Sequence, residues 1–518
     1  MSLYTYFIPT VAVLVALGCC ALKFMHYFQL NSYKSAEHSA FARRNISLYI
    51  LSVCYALAVL PAIFVGYFAP LYVILISISF SVSYKPKSYL IAKKPLVLTP
   101  RVKRMLTTEA VIVTAIGTLA FIFLPYRFLP LAVSVGFLLC PYLCSLANLI
   151  NFPIESAVRR HYTKEAVSLL RGHPSLKVVG ITGSYGKTGT KYYLSTILSE
   201  RYNVLMTPGS FNTPLGVVKT VRESLRSTTE VFVCEMGAKY VGDIKELCEL
   251  TEPSLGILTS IAPQHLETFG SLERIVKTKL ELCDCISARD GETIVNLDSQ
   301  LIKENLPDGV ITCGRDSDSQ FMITKVRADR NGTAFELTVG EDTSIPISTP
   351  LLGAHNVTNV ALASIAALRL GVTPEQIRKG AAKLRSAPHR LELIRRGKDI
   401  IIDDSYNSNP LGSEAALEAL SLFSEYKILI TPGMVELGDK SEYYNYSFGA
   451  KAAKVCNSII LVGKKQTEPI HKGILDTGFD GSRLHVCERV EEAIRLAETL
   501  SNDPKVMLLE NDLPDNYR

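Results

Sequence analysis

The sequence predicts an α/β protein with a P-loop central domain and a Rossmann-like C-terminal domain, preceded by an α-helical transmembrane region. Long apolar stretches fill the first 150 residues, and a glycine-rich stretch follows an apolar run near residue 180. From about residue 155 onward, short apolar runs alternate with helical patterns, which is typical of a mainly parallel sheet. The 518 residues can hold several cores, and we expect domains at 1–150, 155–345 and 346–518.

The positive charge of the chain is confined to its beginning. Residues 1–150 contain twelve Lys and Arg but only two acids, Glu37 and Glu109, whereas the remainder has 43 basic and 47 acidic residues. The net charge of +6 therefore does not indicate nucleic acid as a partner. The twelve Cys lack the paired spacing of metal sites, so we expect reduced thiols in the soluble part.

The first segment has the length and composition of a membrane anchor. We predict about five spans, at residues 3–22, 47–68, 69–84, 110–124 and 128–150. Eleven of the twelve basic residues lie between spans one and two or between spans three and four. The positive-inside rule then predicts a multi-pass protein of the plasma membrane, with its N-terminus outside and everything after Ile150 in the cytoplasm. No charge is expected deep inside a span, so the region should anchor rather than transport.

Residues 180–190 (GITGSYGKTGT) have the layout of a phosphate-binding loop between a strand and a helix. The backbone N–H groups of Gly183, Ser184 and Gly186 would surround phosphates, because such loops and helix N-termini attract anions. Lys187 would supply charge, and Thr188 would offer a hydroxyl to magnesium. Ile181 replaces the first glycine of the general P-loop pattern, so an ordinary glycine-rich turn is the alternative interpretation.

Polar side chains follow two further apolar runs of the central segment. Glu235 ends the run 230–234, and His265 follows the run 255–261. Because parallel strands end at the same edge of a sheet, both side chains can converge with Lys187, where a carboxylate and an imidazole could bind magnesium. Asn212 lies in a loop rich in Gly and Pro at 207–216, as a turn residue or as a substrate contact.

Three segments, 182–188 (TGSYGKT), 235–238 (EMGA) and 265–271 (HLETFGS), resemble the Mur ligase family. The most similar branch is the MurF branch, which adds D-alanyl-D-alanine to a muramoyl tripeptide. The resemblance implies that Lys187 contacts the transferring phosphate of ATP and that Thr188, Glu235 and His265 hold Mg²⁺, with Lys187 and His265 in the catalytic set.

The resemblance also singles out Lys279, at the position where the family often carries a carbamylated lysine. A carbamylated Lys279 would act as a carboxylate-like ligand of a second magnesium ion in the catalytic set. Lys277, two residues earlier, is a competing candidate on another helix face.

Three C-terminal motifs extend the resemblance. Residues 353–359 (GAHNVTN) resemble a family signature in which Asn356 faces adenine, although an Asn here could equally cap a helix. Residues 388–392 (PHRLE) offer Arg390 to phosphates. Residues 403–410 (DDSYNSNP) are similar to the MurF turn, which implies that Asp404 lies near the ribose and that Tyr406 and Asn407 face the substrate.

The sequence also departs from the family pattern. Gly189 replaces a second hydroxyl, residues 431–438 (TPGMVELG) lack the usual aspartate, and the chain ends without the K-G-S motif. The last two differences fall in the domain that binds the incoming amine, so D-alanyl-D-alanine is one candidate among related amines. Residues 1–150 cannot be the soluble domain that binds a uridine-diphosphate-linked sugar, which favours a lipid-linked or membrane-delivered acceptor.

We therefore expect a membrane-anchored ligase of peptidoglycan precursor synthesis that joins a carboxylate to an amine through an acyl phosphate. The expected partners are the precursor, an amino acid or dipeptide, the lipid bilayer and other cell-wall synthesis proteins in the membrane. Two alternatives stay open: a poly-γ-glutamate-type synthase, and a non-catalytic ATP-binding membrane scaffold.

Overall fold

The computed structural model forms two compact units, Met1–Arg160 and His161–Leu513. It describes residues 4–31, 33–44, 46–63, 68–83, 95–125, 128–262, 266–340, 343–406, 409–435 and 437–512.

The first unit is helical. Its helices are α1 (Tyr4–Leu30), α2 (Ser35–Arg44), α3 (Ile46–Val59), α4 (Ala69–Ser83), α5 (Pro100–Phe123) and α6 (Leu129–Arg171), whose last turns belong to the second unit. Within the described residues, three helices are long and apolar enough to cross a membrane: Phe7–Leu30 of α1, α5 and α6. The shorter apolar stretch Pro70–Ser81 lies in α4. Of the described helices of this unit, three rather than the predicted five therefore have the length and composition of a span.

Polar contacts between α5 and α6 lie together at one level of the first unit. Arg104 forms an ion pair with Glu155 at 2.7 Å, and Asn151 donates to the Thr108 hydroxyl at 2.8 Å. The apolar parts of both helices continue on one side of this level, toward Phe123 and Leu129. The expectation that no charged residue lies within a span is wrong for Glu109. Its buried carboxyl belongs to α5, a helix that could span a membrane.

The second unit begins with a nine-stranded sheet of order β2-β3-β1-β4-β5-β6-β7-β8-β9. The strands are β1 (Lys177–Thr182), β2 (Val204–Met206), β3 (Val231–Glu235), β4 (Leu255–Leu258), β5 (Glu292–Asn296), β6 (Ile311–Gly314), β7 (Phe321–Asp329), β8 (Gly332–Thr338) and β9 (Ser344–Thr349). Strands β1 to β7 pair in parallel, as expected. The pairs β7–β8 and β8–β9 are antiparallel, an addition that the sequence pattern did not reveal.

Helices cover this sheet and build its core. They are α7 (Lys187–Leu198), α8 (Pro214–Ser224), α9 (Asp243–Thr251), α10 (Leu266–Phe269), α11 (Leu272–Ser287), α12 (Gln300–Glu304), α13 (His355–Arg369) and α14 (Pro374–Ala381). The last two correct the expected boundary at 345–346, because Val360 of α13 and Ile377 of α14 share a buried cluster with Leu194 of α7. The first sheet therefore keeps its helices until after Ala381.

The remaining chain forms a six-stranded sheet of order β10-β11-β15-β12-β13-β14. The strands are β10 (Glu392–Arg396), β11 (Asp399–Asp404), β12 (Tyr426–Thr431), β13 (Ser458–Val462), β14 (Leu484–Cys487) and β15 (Lys505–Glu510). The helices are α15 (Pro410–Ser421), α16 (Ser441–Val455), α17 (Glu468–Leu475) and α18 (Val490–Thr499). Except for the antiparallel pair β10–β11, all strands pair in parallel, which is the expected Rossmann-like arrangement.

Candidate active site

A glycine-rich loop connects β1 to α7 and has no room for side chains at two positions. Gly183 has φ of 151°, and a Cβ atom there would lie 2.0 Å from the hydroxyl of Thr259. Gly186 caps α7 with φ of 82°, and its Cβ would lie 2.5 Å from Oδ1 of Asn359. Both positions require glycine because of the backbone angle and the close approach together. The loop is thus held as a tight turn before a helix N-terminus, the geometry that binds phosphate.

The segment after β4 holds this loop in place. The Ser184 N–H donates to the Ser260 carbonyl at 2.8 Å, and its hydroxyl donates to the Ala262 carbonyl at 3.0 Å. The Tyr185 N–H donates to the Ser260 hydroxyl at 2.9 Å. The Ser184 N–H, which was expected to face a phosphate, is therefore already bonded to the Ser260 carbonyl, so this part of the expectation is corrected.

Lys187, the first residue of α7, folds back over the loop. Its ammonium group donates to the carbonyls of Gly183 at 2.6 Å and Ser184 at 3.0 Å. Burial lowers the pKa of Lys187 to about 8, and the nearby guanidinium of Arg390 acts in the same direction, while Glu235 opposes it. A phosphate that enters the loop would replace the two carbonyls with a stronger, charged acceptor. Thr188 follows on α7 and is buried.

Glu235, at the end of β3, meets a second lysine that the sequence analysis did not identify. The ammonium group of Lys191 lies 2.9 Å from Oε2 of Glu235, and the two side chains are 0% and 1% exposed. Asn212 donates its side-chain amide to Oε1 at 3.0 Å. Burial alone would raise the pKa of Glu235, but Lys191 and Lys187 outweigh it and lower this pKa below its ordinary value. The carboxylate is therefore charged and close to the loop.

Lys279 and its competitor Lys277 differ in exposure. Lys279 is buried on α11, whereas Lys277 is exposed. Burial lowers the pKa of Lys279 well below its ordinary value, and the charge of Lys187 lowers it further. The Lys279 amine therefore lies in an environment that favours its neutral form.

The second sheet contributes Arg390, Asp404 and Tyr406. The Arg390 guanidinium lies 4.5 Å from the centre of the Tyr406 ring, and the Tyr406 hydroxyl forms a hydrogen bond with Ser210 in the loop after β2. Asp404 accepts a hydrogen bond from the Leu391 N–H at 3.1 Å. Burial raises the pKa of Asp404 to about 6, although that hydrogen bond and Arg390 act in the opposite direction.

Asn356 lies at the start of α13, and protein groups already occupy its amide. Its Nδ2 donates to the Leu352 carbonyl at 2.8 Å, and its Oδ1 accepts from the Tyr193 hydroxyl at 2.9 Å. The structure thus ties Asn356 to α7, and contact with adenine would use its remaining donor and acceptor capacity. The last residue of the same motif, Asn359, approaches the glycine-rich loop at Gly186.

The structure therefore places most predicted residues around one centre. Lys187 interacts electrostatically with Arg390 and Glu235, and Arg390 interacts in the same way with Asp404. Asn212 donates a hydrogen bond to Glu235. His265 and Asn407 lie outside the described residues. Lys191 could have been noticed, because it follows Lys187 by one helical turn and shares its helix face. The contacts of Ser260 and Ser210 depend on tertiary pairing and left no local signal.

Two family models match this part of the chain. Residues 181–368 match the Mur ligase middle domain, and residues 389–509 match the model described as Mur ligase, glutamate ligase domain. The junction between them falls where the structure changes from the first sheet to the second.

Similar curated proteins carry the name UDP-N-acetylmuramoyl-tripeptide–D-alanyl-D-alanine ligase. The one from Bacillus subtilis is 34% identical over 277 residues, or 53% of this chain and 60% of its own length. The one from Escherichia coli is 33% identical over 311 residues, or 58% of this chain and 68% of its own. The match thus spans 60% to 68% of the length of these two relatives.

Solved structures agree with this likeness. A crystal structure of MurF from Acinetobacter baumannii superposes with a TM-score of 0.62 at 27% identity. It covers 68% of this chain, and the match covers 78% of that chain.

Proposed function

This chain belongs to the Mur ligase family, and we propose that it is a membrane-anchored, ATP-dependent ligase that joins a carboxylate of a peptidoglycan precursor to an incoming amine. The observation that carries the proposal is the convergence of Lys187 and Glu235 from the first sheet with Arg390 from the second. Two cations and a carboxylate around a phosphate-binding loop are suited to charge transfer between a triphosphate and a second anion.

Members of the family use ATP with Mg²⁺, and the donors present suit this ion. Magnesium prefers hard oxygen ligands, and the site offers the Glu235 carboxylate and the Thr188 hydroxyl beside the loop. His265, the third predicted ligand, completes the proposed set. When bound, Mg²⁺ supplies the positive charge that lets an acceptor carboxylate approach a triphosphate.

The protein's own groups then account for the two chemical steps. The acceptor carboxylate attacks the γ-phosphorus of ATP, giving an acyl phosphate and ADP. The amine then attacks the acyl carbon, and an amide forms as phosphate and a proton leave. Lys187 would exchange its hydrogen bonds to the loop carbonyls for hydrogen bonds to the transferring phosphate. Arg390, which belongs to the second sheet, would also bind the phosphates. Closure of the two sheets on each other, which Ser210 and Tyr406 connect, would keep water from the acyl phosphate.

Asp404, Asn356, Tyr406 and Asn407 complete the proposed binding site. Asp404 would accept a hydrogen bond from the ribose, and Asn356 would contact adenine at the start of α13. Asn212, Tyr406 and Asn407 would face the acceptor or the amine. The buried amine of Lys279 supports carbamylation, because the neutral amine is the form that combines with carbon dioxide. Carbon-13 NMR of protein equilibrated with labelled bicarbonate would give a carbamate signal that Lys279→Met lacks.

For the substrates we propose D-alanyl-D-alanine or a related amine, and a muramoyl peptide that is lipid-linked. The names of the relatives support the first part. The proposal of a lipid-linked acceptor is supported by the three helices that could span a membrane and by the polar contacts between α5 and α6 at one end of their apolar parts. We propose further that the N-terminus lies outside and the active site in the cytoplasm, which membrane-impermeant thiol labelling of single-cysteine variants tests.

The decisive experiment is phosphate release by the full-length protein in detergent. It crosses D-alanyl-D-alanine, glutamate and other amines with soluble and lipid-linked muramoyl peptides, in the wild type and in Lys187→Ala. We expect release with the lipid-linked acceptor, at least about a thousandfold less in Lys187→Ala because phosphate charge is then unbalanced. Repeated addition of glutamate would favour the polyglutamate synthase, and no wild-type release above the Lys187→Ala background with any pair of substrates would favour the scaffold.

A further inference from the structure

We propose that Lys191 is a positioning residue that couples the loop 207–213 to the metal-binding carboxylate of Glu235. This inference rests on the proposed function, because it assumes that Glu235 receives Mg²⁺. It goes beyond that function by assigning a role to a second lysine and by linking metal binding to the position of a loop.

The first observation is that Lys191 bridges a carboxylate and a backbone carbonyl in the interior. Its ammonium group donates to Oε2 of Glu235 at 2.9 Å and also to the carbonyl of Gly209. The side chain is fully buried. A buried ammonium group needs charged or polar partners in fixed positions, because its desolvation is costly. Lys191 thus fixes Glu235 and Gly209 relative to each other.

The two oxygens of Glu235 are held differently. Oε2 receives the charged ammonium group, whereas Oε1 receives the neutral amide of Asn212 at 3.0 Å. The bond at Oε2 joins two opposite full charges, whereas the bond at Oε1 joins the same carboxylate to an uncharged donor, so the bond at Oε2 is the stronger of the two. A divalent cation will therefore replace the amide at Oε1 more readily than the ammonium group at Oε2. Lys191 directs the metal to one oxygen and keeps the carboxylate oriented while the other partner leaves.

Asn212 connects this exchange to the loop 207–213. Residues 208–211 of the loop are exposed, and its buried attachments are few. The Asn212 carbonyl accepts from the Gly237 N–H at 2.8 Å, and Thr207 accepts from the Glu235 N–H at 3.1 Å. The side-chain amide of Asn212 adds a further attachment through Oε1 of Glu235, and when a metal ion displaces this amide the loop keeps the bond from Lys191 to the Gly209 carbonyl. The same loop carries Ser210, which contacts Tyr406 of the second sheet.

A purely structural role for Lys191 is the competing explanation. In that case the lysine would neutralise Glu235, and its loss would lower stability without changing how the loop responds to the metal. The two roles differ in one measurable property: whether backbone amide exchange in the loop 207–213 depends on the metal-nucleotide complex, and whether this dependence needs Lys191.

The test is hydrogen exchange of the full-length protein in detergent, with and without Mg·ADP. In the wild type we expect exchange of the loop 207–213 to rise by about threefold or more when Mg·ADP binds. In Lys191→Met we expect exchange without nucleotide to be about tenfold faster than in the wild type, with no further response. The control is Lys325→Met, because Lys325 also lies 2.9 Å from a glutamate, Glu336, but is 68% exposed. It should behave like the wild type.

Asn212→Ala is the second variant, and it leaves the pair of Lys191 and Glu235 intact if Lys191→Met fails to fold. Without nucleotide, the backbone amides of the loop 207–213 in this variant should exchange as fast as those of the wild type do with Mg·ADP bound. Adding Mg·ADP to the variant should not raise this rate further. The inference is overturned if either variant exchanges and responds like the wild type, or if the wild-type loop ignores bound Mg·ADP. The comparison of the wild type and the variants without nucleotide tests whether Lys191 holds the loop, and it does not require nucleotide binding. Failure of the wild type to bind Mg·ADP at all would count against the proposed function instead.

Discussion

The guanidinium of Arg390 lies over the ring of Tyr406 at 4.5 Å, and the hydroxyl of the same tyrosine reaches Ser210. One aromatic side chain thus connects the predicted phosphate-binding arginine of the second sheet to a loop of the first. The two contacts use different parts of Tyr406, so substitutions can separate them.

Replacing Tyr406 by leucine should weaken binding of Mg·ADP by several-fold, because an exposed cation–π contact contributes about 0.5–1 kcal/mol and the bond to Ser210 is lost as well. Tyr406→Phe keeps the ring under Arg390 and should lose less. Equilibrium binding of a fluorescent ADP analogue measures both. Tyr443→Leu removes an exposed tyrosine of α16 and should bind like the wild type. Wild-type affinity in Tyr406→Leu would contradict a role of the ring in holding Arg390.

Gly186→Ala should abolish tight nucleotide binding. A Cβ at Gly186 would lie 2.5 Å from Oδ1 of Asn359, at a φ of 82° that L-residues rarely adopt. Strain of this kind costs about 1–3 kcal/mol, so we expect at least about a tenfold loss of Mg·ADP affinity. Gly242→Ala is the matched control, because Gly242 has φ of 95° but open space around its Cα. If the two variants bound equally well, the close approach of Asn359 would not matter.

The buried pair of Lys191 and Glu235 makes a prediction about stability alone. Lys191→Met leaves an uncompensated buried carboxylate and should cost about 3–5 kcal/mol. The double variant Lys191→Met/Glu235→Gln has no buried charge at this place and should recover part of that loss. Thermal unfolding of the two variants in the same detergent gives the comparison. A double variant less stable than Lys191→Met would show that the pair does not behave as a buried ion pair.

The pH dependence of stability should include a contribution from Asp404. Its pKa in the folded protein is about 6, above the ordinary value of 3.8, because it is buried. The stability that the neutral form provides is present below about pH 4 and is lost as the pH rises through 6, where the buried group ionises.

Asp404→Asn is neutral at every pH, so its stability relative to the wild type should increase between pH 4 and pH 7, by on the order of 1–2 kcal/mol. Unfolding temperatures of both proteins across this range measure the difference. Asp480→Asn should show no such increase across this range, because hydrogen bonds from Ser482 lower the pKa of Asp480 and its contribution to stability changes mainly below about pH 4. A constant difference between wild type and Asp404→Asn would contradict the raised pKa.

Local patterns predicted the parallel parts of the second unit but not its whole architecture. Alternating apolar runs and helices predicted the parallel parts of both sheets, because a strand covered on both faces must be apolar throughout. The antiparallel strands β8 and β9 and the attachment of α13 and α14 to the first sheet were not predicted. A helix shows in its sequence that it has an apolar face, but not which sheet covers that face.

The sequence by itself determined a glycine-rich loop before a helix at Gly183, Gly186 and Lys187, since a tight turn at positive φ requires glycines at that spacing. It also determined that Glu235 ends a neighbouring strand. Only the tertiary structure decided that Lys191 and Asn212 hold the two oxygens of Glu235, that Lys279 rather than Lys277 is buried, and that Tyr406 links Arg390 to Ser210. These are contacts between segments distant in the chain, and a residue's local sequence carries no record of the partner that folding brings to it.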